Sequence, residues 1–265
     1  MLHIKDLSCG YGTKIVLKDI NLDIEVKEFA GIIGPNGSGK TTLLRAISRI
    51  IKPIKGCIVF QQNDLWRTGI KEVARNMAVV SQVSEFGFMS VEEFILLGRI
   101  PYFRDFQFLE TKNDCQIAQQ CMELTDTVKL KDKPINNISS GERQLCCIAR
   151  ALAQEPKLLL LDEPTAHLDI AHQVGILDLL KRLNKQLGLT VVTVLHDLNL
   201  ASEYCQRLVM LSNGNIFREG VPKDVLTYET IEEVYKTIVV IEKNPISKKP
   251  YILLVSEEER TGLTR

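Results

Sequence analysis

The chain has 265 residues, 45% of them hydrophobic, enough apolar material for one large or two small folded domains and too much for a disordered or fibrous class. Lys plus Arg and Asp plus Glu each number 33, so the formal charge is zero and there is no global basic field to hold nucleic acid or an anionic membrane surface. Apolar runs such as 158–161 are far shorter than the roughly 18 residues that cross a bilayer, and residues 1–6 lack a basic start followed by an apolar stretch, so the chain is expected neither to span a membrane nor to be exported.

In chain order, Ile20, Leu22, Ile24 and Val26 alternate with Asn21, Asp23 and Glu25, the period-2 pattern of a half-buried antiparallel strand. Residues 29–33 form a short apolar strand followed at once by a glycine-rich loop, and from residue 40 to residue 50 Leu43, Leu44, Ile47 and Ile50 recur at helical spacing. Between about residue 85 and residue 155 the pattern is helical, with Ser90 and Glu93 spaced as a capping box. Strand signals return at 158–161 and 190–195, separated by an amphipathic stretch over 170–187, the strand, helix, strand rhythm of a parallel sheet. Residues 207–211, Asn213-Gly214 and 216–218 read as a hairpin with a type I′ turn, and the tail carries an apolar run over 251–255. A helical insert therefore interrupts an α/β core.

Gly34-Pro35-Asn36-Gly37-Ser38-Gly39-Lys40-Thr41-Thr42 has the spacing of a phosphate-binding loop between a strand and a helix. Glycines let several amides turn into one concavity, the helix start adds its positive end, Lys40 reaches the outer phosphates, and Thr41 offers a hydroxyl to Mg²⁺. A nucleoside triphosphate is the expected ligand. Further on, the strand 158–161 runs into Asp162 and Glu163, at the sheet edge where parallel sheets bind ligands. Alternation along a strand sends the two acids to different tasks, Asp162 toward Mg²⁺ and Glu163 toward an attacking water as general base. A cap on the following turn is the competing role for Glu163.

Between these motifs stands Ile138-Ser139-Ser140-Gly141-Glu142-Arg143-Gln144, and with it the chain closely resembles the ABC ATPase family. The resemblance covers essentially the whole chain. It implies one ABC ATPase domain over 1–265: a P-loop NTPase (RecA-like) core with an antiparallel β lobe over 1–84 and 156–235, an inserted α-helical subdomain over 85–155, and a tail over 236–265. It also implies that Tyr11 stacks on adenine, Gln82 joins the Mg²⁺ and water shell, His196 contacts the γ-phosphate, and Asp169 lines a dimer seam. The signature departs from the commonest family form at Ser140, where glycine is usual, and at Glu142, where glutamine is usual. Ser139 and the amides of Ser140, Gly141 and Glu142 still offer donors at a helix start, and in the family that site closes over ATP held by a second subunit. A homodimer on the cytoplasmic face of the cell membrane follows from the resemblance, together with separate permease subunits and, indirectly, a substrate-binding protein. Nucleic acid is not an expected partner.

Leu96-Leu97-Gly98-Arg99-Ile100-Pro101-Tyr102, Glu242-Lys243-Asn244-Pro245-Ile246-Ser247 and His167-Leu168-Asp169-Ile170-Ala171-His172-Gln173 are similar to segments in ATPases of importers for iron–siderophore, haem or cobalamin chelates. A soluble ABC ATPase serving iron–sulfur assembly or another non-transport process is the alternative. Six of the nine phenylalanines, Phe86, Phe88, Phe94, Phe103, Phe106 and Phe108, fall within 23 residues beside Tyr102, either as a dock for the permease or as the filling of the helical lobe. His167 and His172 are expected at the surface or seam rather than on a metal. The seven cysteines are scattered, with Cys146 and Cys147 adjacent and Cys115 and Cys121 six apart, which fits reduced thiols better than a disulfide framework.

Overall fold

The computed structural model describes residues 1–81, 87–104 and 106–260. Contacts divide the chain into two compact units, one of residues 1–61 with 193–265 and one of residues 62–192.

The first unit opens with β1 (Leu2–Tyr11) and β2 (Lys14–Ile24), followed by β3 (Phe29–Ile33), α1 (Lys40–Ile47) and β4 (Lys55–Phe60). β1 pairs antiparallel with both β2 and β4, and Leu2, Ile4, Leu7, Leu17, Ile20, Leu22 and Ile24 are buried. The expected alternation thus holds through Ile24. Val26 is 62% exposed, because β2 has ended and Lys27, at φ 63°, turns the chain toward β3. α1 likewise stops before Ile50: Arg49 takes φ 62°, and the amides of Ile50 and Ile51 both donate to Arg45 O, a left-handed helix stop that leaves Ile50 exposed.

The second unit holds β5 (Asn63–Asp64), α2 (Ile70–Asn76), β6 (Met77–Val80), α3 (Val91–Leu96), a 3₁₀ turn (Leu97–Tyr102), α4 (Lys112–Leu124), α5 (Ser140–Leu152), β7 (Leu158–Asp162) and α6 (Ile170–Leu187). β6 runs parallel to β7, with Met77 opposite Leu158 and Val80 opposite Leu161. The helices of the expected insert all lie in this unit. Ser90 and Glu93 close the box expected at the head of α3, and Thr111 with Asp114 closes another on α4. Such caps each stabilise a helix by about 1 kcal/mol.

Arg99 holds the helical part together from inside. Its guanidinium, 2% exposed, donates to Asp114 Oδ1 at 2.9 Å, Glu155 Oε2 at 2.7 Å and Ala153 O at 2.6 Å, and lies 3.9 Å over the Tyr102 ring. Burial raises the Asp114 pKa, but the hydrogen bonds from Thr111 and Arg99 outweigh it and hold that carboxyl below its ordinary range. The crowded aromatics divide between the two readings offered for them. Phe94 is buried beneath the Arg150 guanidinium, whereas Phe88, Phe106 and Phe108 are exposed; Phe86 lies outside the described residues.

β8 (Thr190–Val194), buried along its length, is the strand in which the division between units falls. α7 (Leu198–Tyr204), β9 (Arg207–Ser212), β10 (Asn215–Gly220), α8 (Pro222–Val225), α9 (Tyr228–Tyr235), β11 (Val239–Lys243) and β12 (Pro250–Leu254) then complete the first unit. β3 runs parallel to β9, and both are buried over most of their length. Between β9 and β10, Asn213 and Gly214 take φ 50° and 83°, the two positive values a type I′ turn needs. The tail folds back as an antiparallel hairpin, β11 with β12, on α7: Asn199 exchanges hydrogen bonds with the Ile252 backbone, and Ser202 Oγ donates to Pro250 O at 2.7 Å. No helix among the described residues is long and apolar enough to cross a membrane. Cys9, Cys121, Cys146, Cys147 and Cys205 are buried free thiols, Cys57 is half-buried and Cys115 exposed. Burial pushes the Cys205 thiol up to about 12.

Candidate functional site

The first unit carries the phosphate loop. β3 ends at Ile33 and the chain curls at Gly34, at φ 143°, where a Cβ would fall 2.2 Å from Leu211 O. Gly39, at φ 106°, leads into α1, and a Cβ there would meet Leu17 Cδ2 at 2.5 Å. Both positions need glycine for conformation and for space. Lys40 is 5% exposed, and its ammonium donates to Gly34 O at 2.8 Å and Pro35 O at 3.0 Å. Ser38 Oγ is buried with no hydrogen-bond partner. A buried cation beside a buried, unpartnered hydroxyl at a helix start with no acid in its first turn fits an anionic ligand. Thr41 is half-buried and Thr42 buried at the start of the same helix.

Two further expected residues stand in this unit. Tyr11, at the end of β1, is 45% exposed and accepts a hydrogen bond from Arg45 Nη1 at 2.9 Å, so its ring is held at the surface rather than packed into the β lobe. His196 is exposed just beyond β8, where the Leu195 amide donates to Ile32 O at 3.2 Å; Asp197 then caps α7. Sequence reasoning missed Tyr235, whose hydroxyl accepts from the Gly34 backbone and whose burial pushes its pKa to about 12. Only its position, a tyrosine about two hundred residues from the loop, was visible beforehand.

The second unit carries the acids and the signature. β7 ends at Asp162, and Glu163 leaves the strand at φ 53°, both half-buried. Strand alternation therefore does not extend to Glu163, whose left-handed backbone is uncommon and costly for a residue with a side chain. The carboxylate of Asp162 and the hydroxyl of Thr41 are hard oxygen donors of the kind Mg²⁺ takes. Gln82, the third expected Mg²⁺ contact, lies outside the described residues.

At the head of α5, Ser139 accepts from the Glu142 amide at 3.2 Å, while the Glu142 carboxylate accepts from Ser139 N and Oγ, each at 2.9 Å. The backbone hydrogen bond from Ser139, with the hydroxyl in support, holds the Glu142 carboxyl below its ordinary range. Of the amides expected as donors, that of Glu142 is thus engaged within the box, and those of Ser140 and Gly141 head the helix. Asp169 caps α6 through the His172 amide at 2.9 Å, and that bond, with the imidazole, lowers its pKa. His167 and His172 are both exposed.

Together these features define a protein of the phosphate-loop nucleotide-binding class. The family model described as ABC transporter matches residues 17–166, and the chain belongs to that family. It is 40% identical over 97% of its length to the uncharacterized ABC transporter ATP-binding protein YvrA of Bacillus subtilis, a longer protein of which it spans 59%. It is 36% identical to the iron(3+)-hydroxamate import ATP-binding protein FhuC of Bacillus subtilis, with 97% of each chain covered. Among solved structures, it matches a metal-chelate type ABC transporter in an inward-facing conformation with a TM-score of 0.84 at 27% identity, over 97% of this chain and 98% of the other. It also matches the dimeric ABC transporter cassette MJ0796 with a TM-score of 0.72 at 30% identity, over 83% and 98%. These matches carry the expected architecture of nucleotide-binding core, antiparallel β lobe and helical subdomain.

Proposed function

We propose that the chain is the ATP-hydrolysing subunit of an importer for a metal chelate of the iron–siderophore, haem or cobalamin kind, working as a homodimer beneath separate permease subunits. The observation that carries the ATPase reading is the loop of residues 34–42, with its buried Lys40 ammonium and unpartnered Ser38 hydroxyl. Full-length similarity to an iron(3+)-hydroxamate import protein favours import over a soluble iron–sulfur role.

In this reading Tyr11 stacks on adenine, and Gly34, Pro35, Asn36, Gly37, Ser38, Gly39, Lys40, Thr41 and Thr42 hold the phosphates. Lys40 exchanges the loop carbonyls for phosphate oxygens, a stronger, charge-assisted bond. Glu163 takes the proton of the water whose oxygen bonds to the γ-phosphorus as the bond to the β-phosphate oxygen breaks, and His196 contacts the γ-phosphate. Thr41, Asp162 and Gln82 would hold Mg²⁺, which would supply positive charge against the phosphates. Ser139, Ser140, Gly141 and Glu142 close over the ATP of the second copy, and Asp169 lines the seam. The permease docks on the helical subdomain, at the groove of about 510 Å³ lined by Phe88, Met89, Glu93, Pro134 and Asn137, with a substrate-binding protein on the far side of the membrane.

The test is ATPase activity of the subunit reconstituted with the permeases and binding protein from its own operon, challenged with ferric hydroxamate, haem and cobalamin. Stimulation by one chelate supports the reading, and indifference to all three removes the import assignment.

A further inference from the structure

Two seam segments assigned above, the head of α5 and the loop before α6, meet on one side chain, His172, to which the proposed function gives no role. His172 Nδ1 lies 2.9 Å from Asp169 Oδ1 and 2.8 Å from Oδ2. A carboxylate can only accept here, so Nδ1 carries the hydrogen. The remaining edge of the ring rests on the signature: a Cβ built on Gly141 would fall 2.1 Å from His172 Cδ2 and 2.7 Å from both Cγ and Nε2. Gly141 is therefore glycine because a neighbour occupies the space of its side chain.

Neither contact is needed to make its helix. Asp169 caps α6 through the residue 172 amide, which any residue there would supply, and Ser139 with Glu142 closes the cap of α5 unaided. Nor does the pair add much to folding. The His172 and Asp169 side chains are 43% and 66% exposed, and exposed pairs of this kind contribute little to stability. What the imidazole does is join two segments about thirty residues apart in sequence.

We propose that His172 is a positioning residue that clamps the Asp169 loop to the Gly141 end of the signature, so that both segments reach the second copy's nucleotide as one piece. This rests on the shared-site reading above. Two loops ordered separately at the moment of closure each lose conformational freedom, whereas one preformed piece has already lost it, so the clamp lowers the cost of closing on ATP.

The test uses the full-length Glu163→Gln protein as parent and reads two quantities, nucleotide binding by the monomer and the ATP concentration at half-maximal dimerisation in sedimentation. His172→Ala should raise that concentration about 5-fold with monomer binding unchanged, the upper end of what an exposed pair contributes. His172→Asn, which keeps a donor near Asp169 but not the ring on Gly141, and His172→Phe, which keeps the ring but not the donor, should each give about 3-fold. Gly141→Ala should harm dimerisation less beside His172→Ala than alone, because the clash has gone. If the parent stays monomeric with ATP, the shared-site reading fails and takes the clamp with it. If the parent dimerises and the Asn and Phe variants, or the Ala variant, close at the parent's ATP concentration, the clamp alone is overturned.

Discussion

Two helices in this molecule begin at motifs that offer amides to phosphate, and their ends are finished in opposite ways. α1 starts from Gly39 with no side-chain cap and no acid in its first turn, and Lys40 supplies a buried positive charge. α5 starts from Ser139 with its cap closed and the Glu142 carboxylate drawn across the first turn. The bare start fits an anionic ligand with the donors of one chain. The capped start opposes its own helix dipole with a carboxylate, so a phosphate reaching it must already be neutralised by another cation. In the proposed function, one chain's α1 holds the nucleotide and the other's α5 completes the enclosure, and the contrast between the two helix starts supports that division.

The account can be broken first at the chemistry that both ends serve. Glu163→Gln should lower turnover on the order of 10²- to 10⁴-fold while ATP still binds, since an amide does not accept the proton of the attacking water. Single-turnover hydrolysis measures this, and near-normal turnover contradicts the role. Lys40→Ala should weaken ATP binding by the monomer by about 10- to 100-fold, the loss of a bond to a charged group, which equilibrium binding of a fluorescent ATP analogue reads. If binding is unchanged, α1 is not the self-sufficient end.

Glu142→Gln sharpens the contrast with the smallest change. It keeps a capping partner for Ser139 but removes the charge, and should tighten ATP-driven dimerisation by about 2- to 5-fold, within the range of helix-dipole effects. There is also a pH signature. The folded-state pKa of Glu142 is depressed, so its contribution is present above the ordinary carboxylate pKa of about 4.3 and fades as pH falls through the folded value. Thermal melts of the Gln variant should lack that acid-side component.

How far the sequence could be read follows the same division. The loop over 34–42 was legible because its chemistry is written in residue type and short spacing, and the box at Ser90 and Glu93 needs only a separation of three. Glu163 was legible as the second acid after an apolar strand, but its φ of 53° belongs to a turn that strand alternation does not foresee. The core of the helical part was legible only in the filling role offered for its aromatics, which Phe94 takes. Arg99 looked like a class marker, and its role depends on Asp114 and Glu155, 15 and 56 residues away, which no local period connects. The same holds for Tyr235 on Gly34 and His172 on Gly141. Local rules found what one segment does by itself, and missed what side chains do across the fold.

The most direct test of the central claim is sedimentation of Glu163→Gln with and without ATP, beside the same protein carrying Ser139→Arg. Two phosphate-binding ends on different chains predict that ATP converts the first protein from monomer to dimer. The second should still bind ATP but remain a monomer, because a bulky cation at residue 139 breaks the cap and blocks the seam. Dimers that form without ATP, or that survive Ser139→Arg undiminished, would contradict the account.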